Sequence, residues 1–252
     1  MIPSTLHQTW RTQTLPPQLY RWQLSWKRHN PTWQLHFYDD QACLAFVEAT
    51  CPEFQPLYQG FPYAIQRADF FRYLVLYYKG GLYADIDMEC LRPLGNLGGR
   101  CQVILAVEAH LTRQRQQELG YRHPYQIANC IFAAAPGHWF LQRLIESVAH
   151  QASRLPPTDD AIEESTGPRL LTRLYFALSE AEKQQITLLP QICWMAPTTY
   201  PNWWPLNRHM AARHHFLGSW KQPARPRALH RRWIERSKLP NPWPTLRGDT
   251  HA

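Results

Sequence analysis

The chain has 252 residues, of which 44% are hydrophobic and 18% are charged, a composition that excludes a disordered or fibrous protein and predicts a globular one. Most of its net charge of +8 lies in residues 221–252, where eight Lys or Arg stand against two acidic residues. The six cysteines show no CxxC spacing, which argues against a zinc site and predicts free thiols. The first residues lack a secretory signal, and no apolar run approaches the ~20 residues of a membrane span, so we expect a cytoplasmic protein.

The N-terminal elements indicate an α/β domain. Residues 2–10 predict a strand, residues 17–28 a helix introduced by prolines, and residues 33–38 a second strand. Strand, helix and strand within about forty residues form a βαβ unit, whose ligands lie at the strand ends. Later periodicities predict helices over 63–79, 138–150 and 168–178 and strands over 82–86, 103–107, 130–134 and 187–189.

An acidic pair lies at the end of one predicted strand. Gly80-Gly81 ends the preceding helix, so Asp85 and Asp87 fall at the C-terminal end of strand 82–86 and should point to the same side. Carboxylates about 5 Å apart repel each other unless a cation lies between them or one is protonated. Mg²⁺ or Mn²⁺ prefers carboxylate and phosphate oxygens, so the pair suits a metal that holds a diphosphate. Because an isolated Asp-x-Asp is often a solvated turn, its context must decide.

That context is carried by several motifs in a fixed order. The pair closes a continuous segment that reads RADFFRY over 67–73 and LYYKGGLYADID over 76–87. Together with further motifs along the chain, the segment resembles the glycosyltransferases with a DXD sugar-binding region, family 32, of the initiating mannosyltransferase and capsular polysaccharide synthesis type. The resemblance covers residues 1–220. The further motifs are Ile2-Pro3, HQTW at 7–10, Asn30-Pro31 with Trp33, Asn129, Thr166-Gly167-Pro168 and HHFLGSW at 214–220.

The resemblance implies a fold and an activity. The fold is of the GT-A type, with a Rossmann-like mixed sheet flanked by helices in a single domain over 1–220, followed by a Pro/Arg-rich basic extension over 221–252. The activity is the retaining transfer of a hexose from a GDP- or UDP-linked sugar to a glycan, glycolipid or lipid-linked acceptor. It depends on Mn²⁺ or Mg²⁺ and involves no nucleic acid.

The resemblance also assigns roles to individual residues. Asp85 and Asp87 become the catalytic metal and donor ligands, and His215 completes the metal shell, with its neighbour His214 as the alternative. Arg67, Asp69 and Arg72 lie on the helix that faces the donor, where Asp69 would meet a sugar or ribose hydroxyl. The other donor-binding residues that the resemblance implies are Thr9, Trp10, Tyr73, Gly81, Asn129, Gly167, Ser219 and Trp220, the last two closing over the diphosphate.

The basic extension leaves alternatives open. Its charge, with Trp233 and Trp243, suits a peripheral contact with anionic lipid at the inner membrane face, or it serves only for solubility. A nucleic-acid-binding module would also explain the basic residues, but it leaves Asp85 and Asp87 without a role. A nucleotide-sugar hydrolase would share every ligand of the transferase, so only the reaction products distinguish the two.

Overall fold

A computed structural model describes residues 1–97, 102–151, 159–196, 209–218 and 239–240, and the structural statements below concern these residues. Helices and strands alternate along most of the chain. The helices are α1 Pro17–His29, α2 Asp40–Thr50, α3 Gln55–Gly60, α4 Ala64–Lys79, α5 Arg113–Glu118, α6 Trp139–Gln151, α7 Asp159–Ser165, α8 Pro168–Phe176, α9 Glu180–Lys183 and α10 Gln191–Trp194, with a 3-10 turn at Pro52–Phe54. The strands are β1 Thr5–Thr9, β2 Thr14–Leu15, β3 Gln34–Tyr38, β4 Gly81–Ala84, β5 Met88–Cys90, β6 Val103–His110, β7 Tyr125–Ile127, β8 Ile131–Ala134, β9 Ile186–Leu189, β10 Ala212–His214 and β11 Leu239–Pro240.

The main sheet is mixed. Its strand order in the described residues is β3-β1-β4-β8-β6-β7, and β9 also pairs with β6. β3, β1 and β4 run parallel, whereas β8 runs antiparallel to both β4 and β6. β4 and β6 therefore point in the same direction on either side of β8, and their C-terminal ends reach the same edge of the sheet. The predicted α/β fold with a Rossmann-like mixed sheet is confirmed.

Helices cover both faces of this sheet. On one face α2, α4, α6 and α8 bury a large apolar cluster that includes Phe71 and Leu144. On the other face α1 and α10 bury a second cluster that includes Trp26 and Trp194. The indole Nε1 of Trp26 also donates to the carbonyl of Met88 at 2.9 Å. This bond ties α1 to β5, immediately after the acidic pair.

The acidic pair lies in a turn rather than on a strand. β4 ends at Ala84, two residues earlier than predicted, and the Met88 N–H donates to the carbonyl of Asp85 at 3.0 Å to close the turn into β5. The partner strand explains the difference, because β8 begins only at Ile131 and the last rung is the bond from Asp85 N–H to the Cys130 carbonyl. The two side chains therefore converge through the turn and not through strand alternation.

Several smaller predictions have clear outcomes. The helix α2 was missed, although Asp39 caps it by accepting from the Ala42 N–H at 2.8 Å. The five described cysteines are free thiols as predicted, whereas Cys101 lies outside the described residues. Of the basic extension the structure describes only β11, which pairs antiparallel with β2. No helix in the described ranges combines the length and the apolar character needed to cross a bilayer.

The glycine at the start of β4 allows two strands to approach closely. Gly81 has φ +102°, and a Cβ there would lie 2.6 Å from the carbonyl oxygen of Thr5 on β1. We expect Gly81→Ala to lower the free energy of unfolding by about 3 kcal/mol, because backbone strain and a clash between backbones add. Gly120→Ala should cost about 1 kcal/mol, since Gly120 has φ +64° but open space around it.

Gly60→Ala is the matched control, because a Cβ at Gly60 meets nothing within 4 Å and no positive φ is required. Urea unfolding of the three variants measures the order of these effects. Equal stability of Gly81→Ala and Gly60→Ala would contradict the close approach of β1 and β4.

Candidate active site

Two carboxylates and one imidazole converge at the carboxyl edge of the sheet. One ligand atom each from Asp85, Asp87 and His214 lie within 4.8 Å of one another. His214 Nε2 is 3.1 Å from Asp87 Oδ1. His214 is the last residue of β10, which pairs antiparallel with β5 and places His214 opposite Met88. The Asp85 and Asp87 side chains keep 26% and 13% of their surface exposed, so both remain open to a ligand.

A buried arginine supports the first carboxylate from behind. The Arg72 guanidinium, 2% exposed, lies 3.2 Å from Asp85 Oδ1 and 2.9 Å from Asp69 Oδ1. It also donates to the Asn129 carbonyl at 2.7 Å and lies over the Tyr83 ring at 4.8 Å. Every edge of the guanidinium thus has a partner, which fixes its orientation and that of Asp85.

Asp69 belongs to this support and is not exposed to the cleft. Its Oδ1 accepts from Asn129 Nδ2 at 3.1 Å and its Oδ2 from Thr166 Oγ1 at 3.0 Å, in addition to the ion pair with Arg72. Burial raises the pKa of Asp69 to about 7, although Arg72 and the two hydrogen bonds oppose the rise. A donor hydroxyl would have to displace one of these partners to reach Asp69.

The two exposed carboxylates differ electrostatically. Burial raises the pKa of Asp85, although Arg72 opposes the rise. Burial acts in the same direction on Asp87, but the charge and the hydrogen bond of His214, with the N–H of Leu217 at 3.0 Å, lower the pKa of Asp87 below its ordinary value. The pKa of His214 is raised despite its burial, through Cys130 and Asp87. Arg72 and His214 thus each offset the charge of one carboxylate of the acidic pair.

The histidine at the carboxylates is His214, the predicted alternative, and not His215. His215 Nε2 lies 3.0 Å from Glu89 Oε2, and its ring stacks on Trp22 with centroids 3.9 Å apart. The reason is the strand period, since successive residues at the end of β10 project to opposite sides. His215 could complete a metal shell only by leaving these two partners.

Of the other predicted donor-binding residues, two lie at the edge of the sheet and two donate to backbone carbonyls away from it. Thr9 and Trp10 lie at the C-terminal end of β1, where Thr9 Oγ1 is 2.8 Å from the Tyr83 hydroxyl, and Trp10 is partly exposed. Tyr73 is fully buried and donates its hydroxyl to the Thr166 carbonyl at 2.6 Å. Arg67 donates to the Phe61 carbonyl at 2.7 Å and does not join the Arg72 network.

The two predicted glycines are explained by packing. Gly81 allows the approach of β1 described above, and a Cβ at Gly167 would lie 2.8 Å from the Cα of Glu163. Both positions therefore require glycine whether or not a donor binds there. Ser219 and Trp220, which should close over the diphosphate, lie outside the described residues.

Three functional candidates were missed by sequence reasoning. Thr166 orients Asp69, and its position in the quoted Thr-Gly-Pro motif was the available signal. Glu89 continues the alternation of Asp85 and Asp87, which was also visible. Glu108 lies near the end of β6, at the same sheet edge, where it accepts from Gln126 at 2.7 Å, and burial raises its pKa. No spacing signal connects Glu108 to the acidic pair, because strand pairing alone brings them together.

The donor set fits a hard divalent cation. Two carboxylate oxygens and one imidazole nitrogen within 4.8 Å are close to the ~4.2 Å that separates opposite ligands of an ion bound at about 2.1 Å. Oxygen-rich sets of this kind suit Mg²⁺ or Mn²⁺, and imidazole is an acceptable further ligand for a transition metal. Asp85, Asp87 and His214 would hold the ion, and Arg72 would keep Asp85 in place behind it.

Comparisons with known proteins agree with this geometry. Residues 16–104 match the family model for a glycosyltransferase sugar-binding region containing the DXD motif. Inositol phosphoceramide mannosyltransferase 3 of Schizosaccharomyces pombe is 30% identical over 70% of this chain and 45% of its own length. Inositol phosphoceramide mannosyltransferase 1 of the same yeast is 26% identical over 76% of this chain and 56% of its own length. The chain therefore spans about half the length of these curated relatives.

The solved structures give a weaker likeness. The galactosyltransferase LgtC in complex with donor and acceptor sugar analogs is 13% identical, with a TM-score of 0.46 over 92% of this chain and 96% of that one.

The family match covers α1 to the start of β6 and includes Asp69, Arg72, Asp85 and Asp87, the residues that the structure brings together. Residues 16–104 are therefore similar to the sugar-binding region of glycosyltransferases that contain the DXD motif.

Proposed function

We propose that this protein is a metal-dependent, retaining glycosyltransferase that moves a hexose from a nucleotide diphosphate sugar to a glycan or lipid-linked acceptor. The observation that carries the proposal is the convergence of Asp85, Asp87 and His214 at the carboxyl edge of the sheet, in a family of sugar transferases. Mannose is the first sugar to consider, because the curated relatives are named as mannosyltransferases. A glycolipid acceptor follows from the same names, which mention inositol phosphoceramide.

The reaction breaks the bond between the anomeric carbon and the diphosphate, and the electron pair leaves with the diphosphate. An acceptor hydroxyl forms the new bond and loses its proton to water. A bound Mn²⁺ or Mg²⁺ supplies Lewis-acid neutralisation of the charge on the departing diphosphate. Asp85 and Asp87 bind and orient that ion, and Arg72 prevents Asp85 from rotating away.

Arg72 also has an electrostatic role. Its positive charge lies in a buried position directly behind the acidic pair, where the effective dielectric constant is low. A fixed charge in such a site requires no reorganisation when negative charge develops on the leaving group. Asp69 and the Asn129 carbonyl hold the guanidinium in that position, and Thr166 orients Asp69. They therefore act through Arg72 and are positioning residues.

A panel of nucleotide sugars tests the donor. With Mn²⁺ present, we expect GDP-mannose to release nucleotide faster than UDP-glucose, UDP-galactose or UDP-N-acetylglucosamine, and to do so more rapidly when a glycolipid acceptor is added. Product analysis separates transfer from hydrolysis, since a transferase gives a glycosylated acceptor and a hydrolase gives free sugar. Release of free sugar alone, at the same rate with and without acceptor, would contradict the transferase and favour a nucleotide-sugar hydrolase.

The acidic pair is tested by Asp87→Asn. This variant keeps the size of the side chain and an acceptor for the Leu217 N–H but removes the negative charge. We expect turnover to fall by about 100-fold or more, because Lewis-acid stabilisation is worth several kcal/mol. Glu146→Gln, the same kind of change on the exposed surface of α6, is the control and should be neutral. Undiminished turnover of a folded Asp87→Asn protein would sink the metal assignment.

The buried arginine is tested by Arg72→Lys. A lysine retains the charge but cannot contact Asp69, Asp85 and the Asn129 carbonyl in one plane. We expect a fall in kcat of about 10-fold or more at a temperature where the variant is folded, and a lower melting temperature than in the control Arg143→Lys, whose guanidinium is exposed on α6. Steady-state kinetics and thermal melts measure the two effects, and a kcat equal to that of the parent would exclude a role for the guanidinium geometry.

A further inference from the structure

Two residues outside the ligand set contact His215, the histidine that does not face the carboxylates. The ring of His215 lies on the indole of Trp22, with centroids 3.9 Å apart and planes 10° from parallel. Its Nε2 lies 3.0 Å from Glu89 Oε2, and since a carboxylate only accepts, the imidazole donates. Trp22 belongs to α1 and Glu89 to β5, so His215 joins two separate elements.

The chain on either side of His215 wraps around Asp87. His214 Nε2 is 3.1 Å from Asp87 Oδ1, the His215 N–H donates to the Asp87 carbonyl at 3.1 Å, and the Leu217 N–H donates to Asp87 Oδ2 at 3.0 Å. Three consecutive contacts thus connect one aspartate to one short segment. The segment 214–217 is therefore a strap over Asp87, with His215 near its middle.

The strap follows a short strand, and Leu217 at its far end packs against the apolar cluster of α1 and α10. β10 is three residues long and pairs with β5 alone, as a two-stranded sheet. Two-stranded ribbons are marginally stable in water, and their ends fray. Phe216, the next residue, is 48% exposed and has φ +48°, a conformation that costs free energy for a residue with a side chain. The contacts of His215 with Trp22 and Glu89 give the strap a fixed point next to the imidazole of His214.

We propose that Trp22, Glu89 and His215 form a clamp that holds the strap 214–217 in place and so positions His214 and Asp87 for cation binding. The clamp rests on the cation site of the proposed function, but its members are positioning residues and not ligands. Stacking on the Trp22 indole sets the plane of the His215 ring, and the hydrogen bond to Glu89 fixes the orientation of the ring within that plane. Outer groups of this kind orient ligands, and their loss commonly weakens metal binding by about 10-fold or more.

The clamp also accounts for Glu89. A third carboxylate two residues after Asp87 would otherwise compete for the same cation or repel its neighbours. Glu89 Oε2 instead accepts a hydrogen bond from His215, so the negative charge of Glu89 faces the strap and not the acidic pair. Glu89 as a direct metal ligand is the competing assignment. The Glu89→Gln variant distinguishes the two assignments, because a glutamine oxygen accepts a hydrogen bond but is a poor substitute for an anionic ligand.

Titration of the full chain with Mn²⁺ alone tests the clamp independently of turnover. The electron paramagnetic resonance signal of free Mn²⁺ measures how much of the ion is bound. We expect Glu89→Ala and His215→Ala each to weaken Mn²⁺ binding by about 10-fold. Glu89→Gln and Trp22→Phe, which keep the acceptor and the stack, should stay within about 2-fold of the parent. The double variant Glu89→Ala with His215→Ala should bind Mn²⁺ at most about 2-fold more weakly than either single variant, because both changes remove the same contact. His214→Ala and Asp87→Asn should weaken binding more than any of these.

Each outcome has a distinct meaning. Parent-like binding by Glu89→Ala and His215→Ala would overturn the clamp while leaving the cation site intact. A loss in Glu89→Gln as large as in Asp87→Asn would make Glu89 a ligand and would also overturn the clamp. Unchanged binding by Asp87→Asn, or no Mn²⁺ binding by the parent protein, would overturn the proposed cation site and the clamp with it. Thermal melts of Glu89→Ala and His215→Ala check that a loss of binding does not come from a loss of the fold.

Discussion

Two carboxylates in one tight turn repel each other, and the surrounding structure is arranged around that repulsion. Asp85 and Asp87 are separated by a single residue, and both are partly withdrawn from water. Partial burial makes the repulsion stronger, because the effective dielectric constant is lower than in bulk water. The protein compensates from two sides, with Arg72 against Asp85 and His214 against Asp87. The two partners offset the charges of the pair, and both carboxylates remain partly open to a cation.

The two compensating groups are held in different ways. Arg72 comes from the middle of α4, within the largest apolar cluster, and three polar partners hold its guanidinium. His214 comes from the end of a two-stranded ribbon and is held by the strap that follows it. The first support belongs to the core, whereas the second depends on a few partly buried contacts near the surface. Changes in affinity for a cation are therefore expected to originate on the side of β10.

The buried carboxylate Asp69 illustrates how a motif residue can serve the site without touching a ligand. Its oxygens are occupied by Arg72, Asn129 and Thr166, which come from a helix, a loop before β8 and the end of α7. Removal of one partner would leave a charged group buried and unpaired, a situation that costs more than the hydrogen bond itself contributes. The four residues thus behave as one unit, and the motif around Asp69 specifies the geometry of Asp85 indirectly.

The sequence by itself determined the α/β class, most of the helices and strands around the sheet, and the acidic pair with its helix of support. These features are local, because hydrophobic period, glycine stops and the spacing of Arg67, Asp69 and Arg72 are all set within a few turns of chain. The choice between His214 and His215 was not local. It depended on the pairing of β10 with β5, which joins residues more than a hundred positions apart and decides which side chain faces Asp87. The burial of Asp69, the turn that carries Asp85 and the approach of Glu108 were likewise decided only by tertiary structure, because each follows from where a neighbouring strand begins or ends.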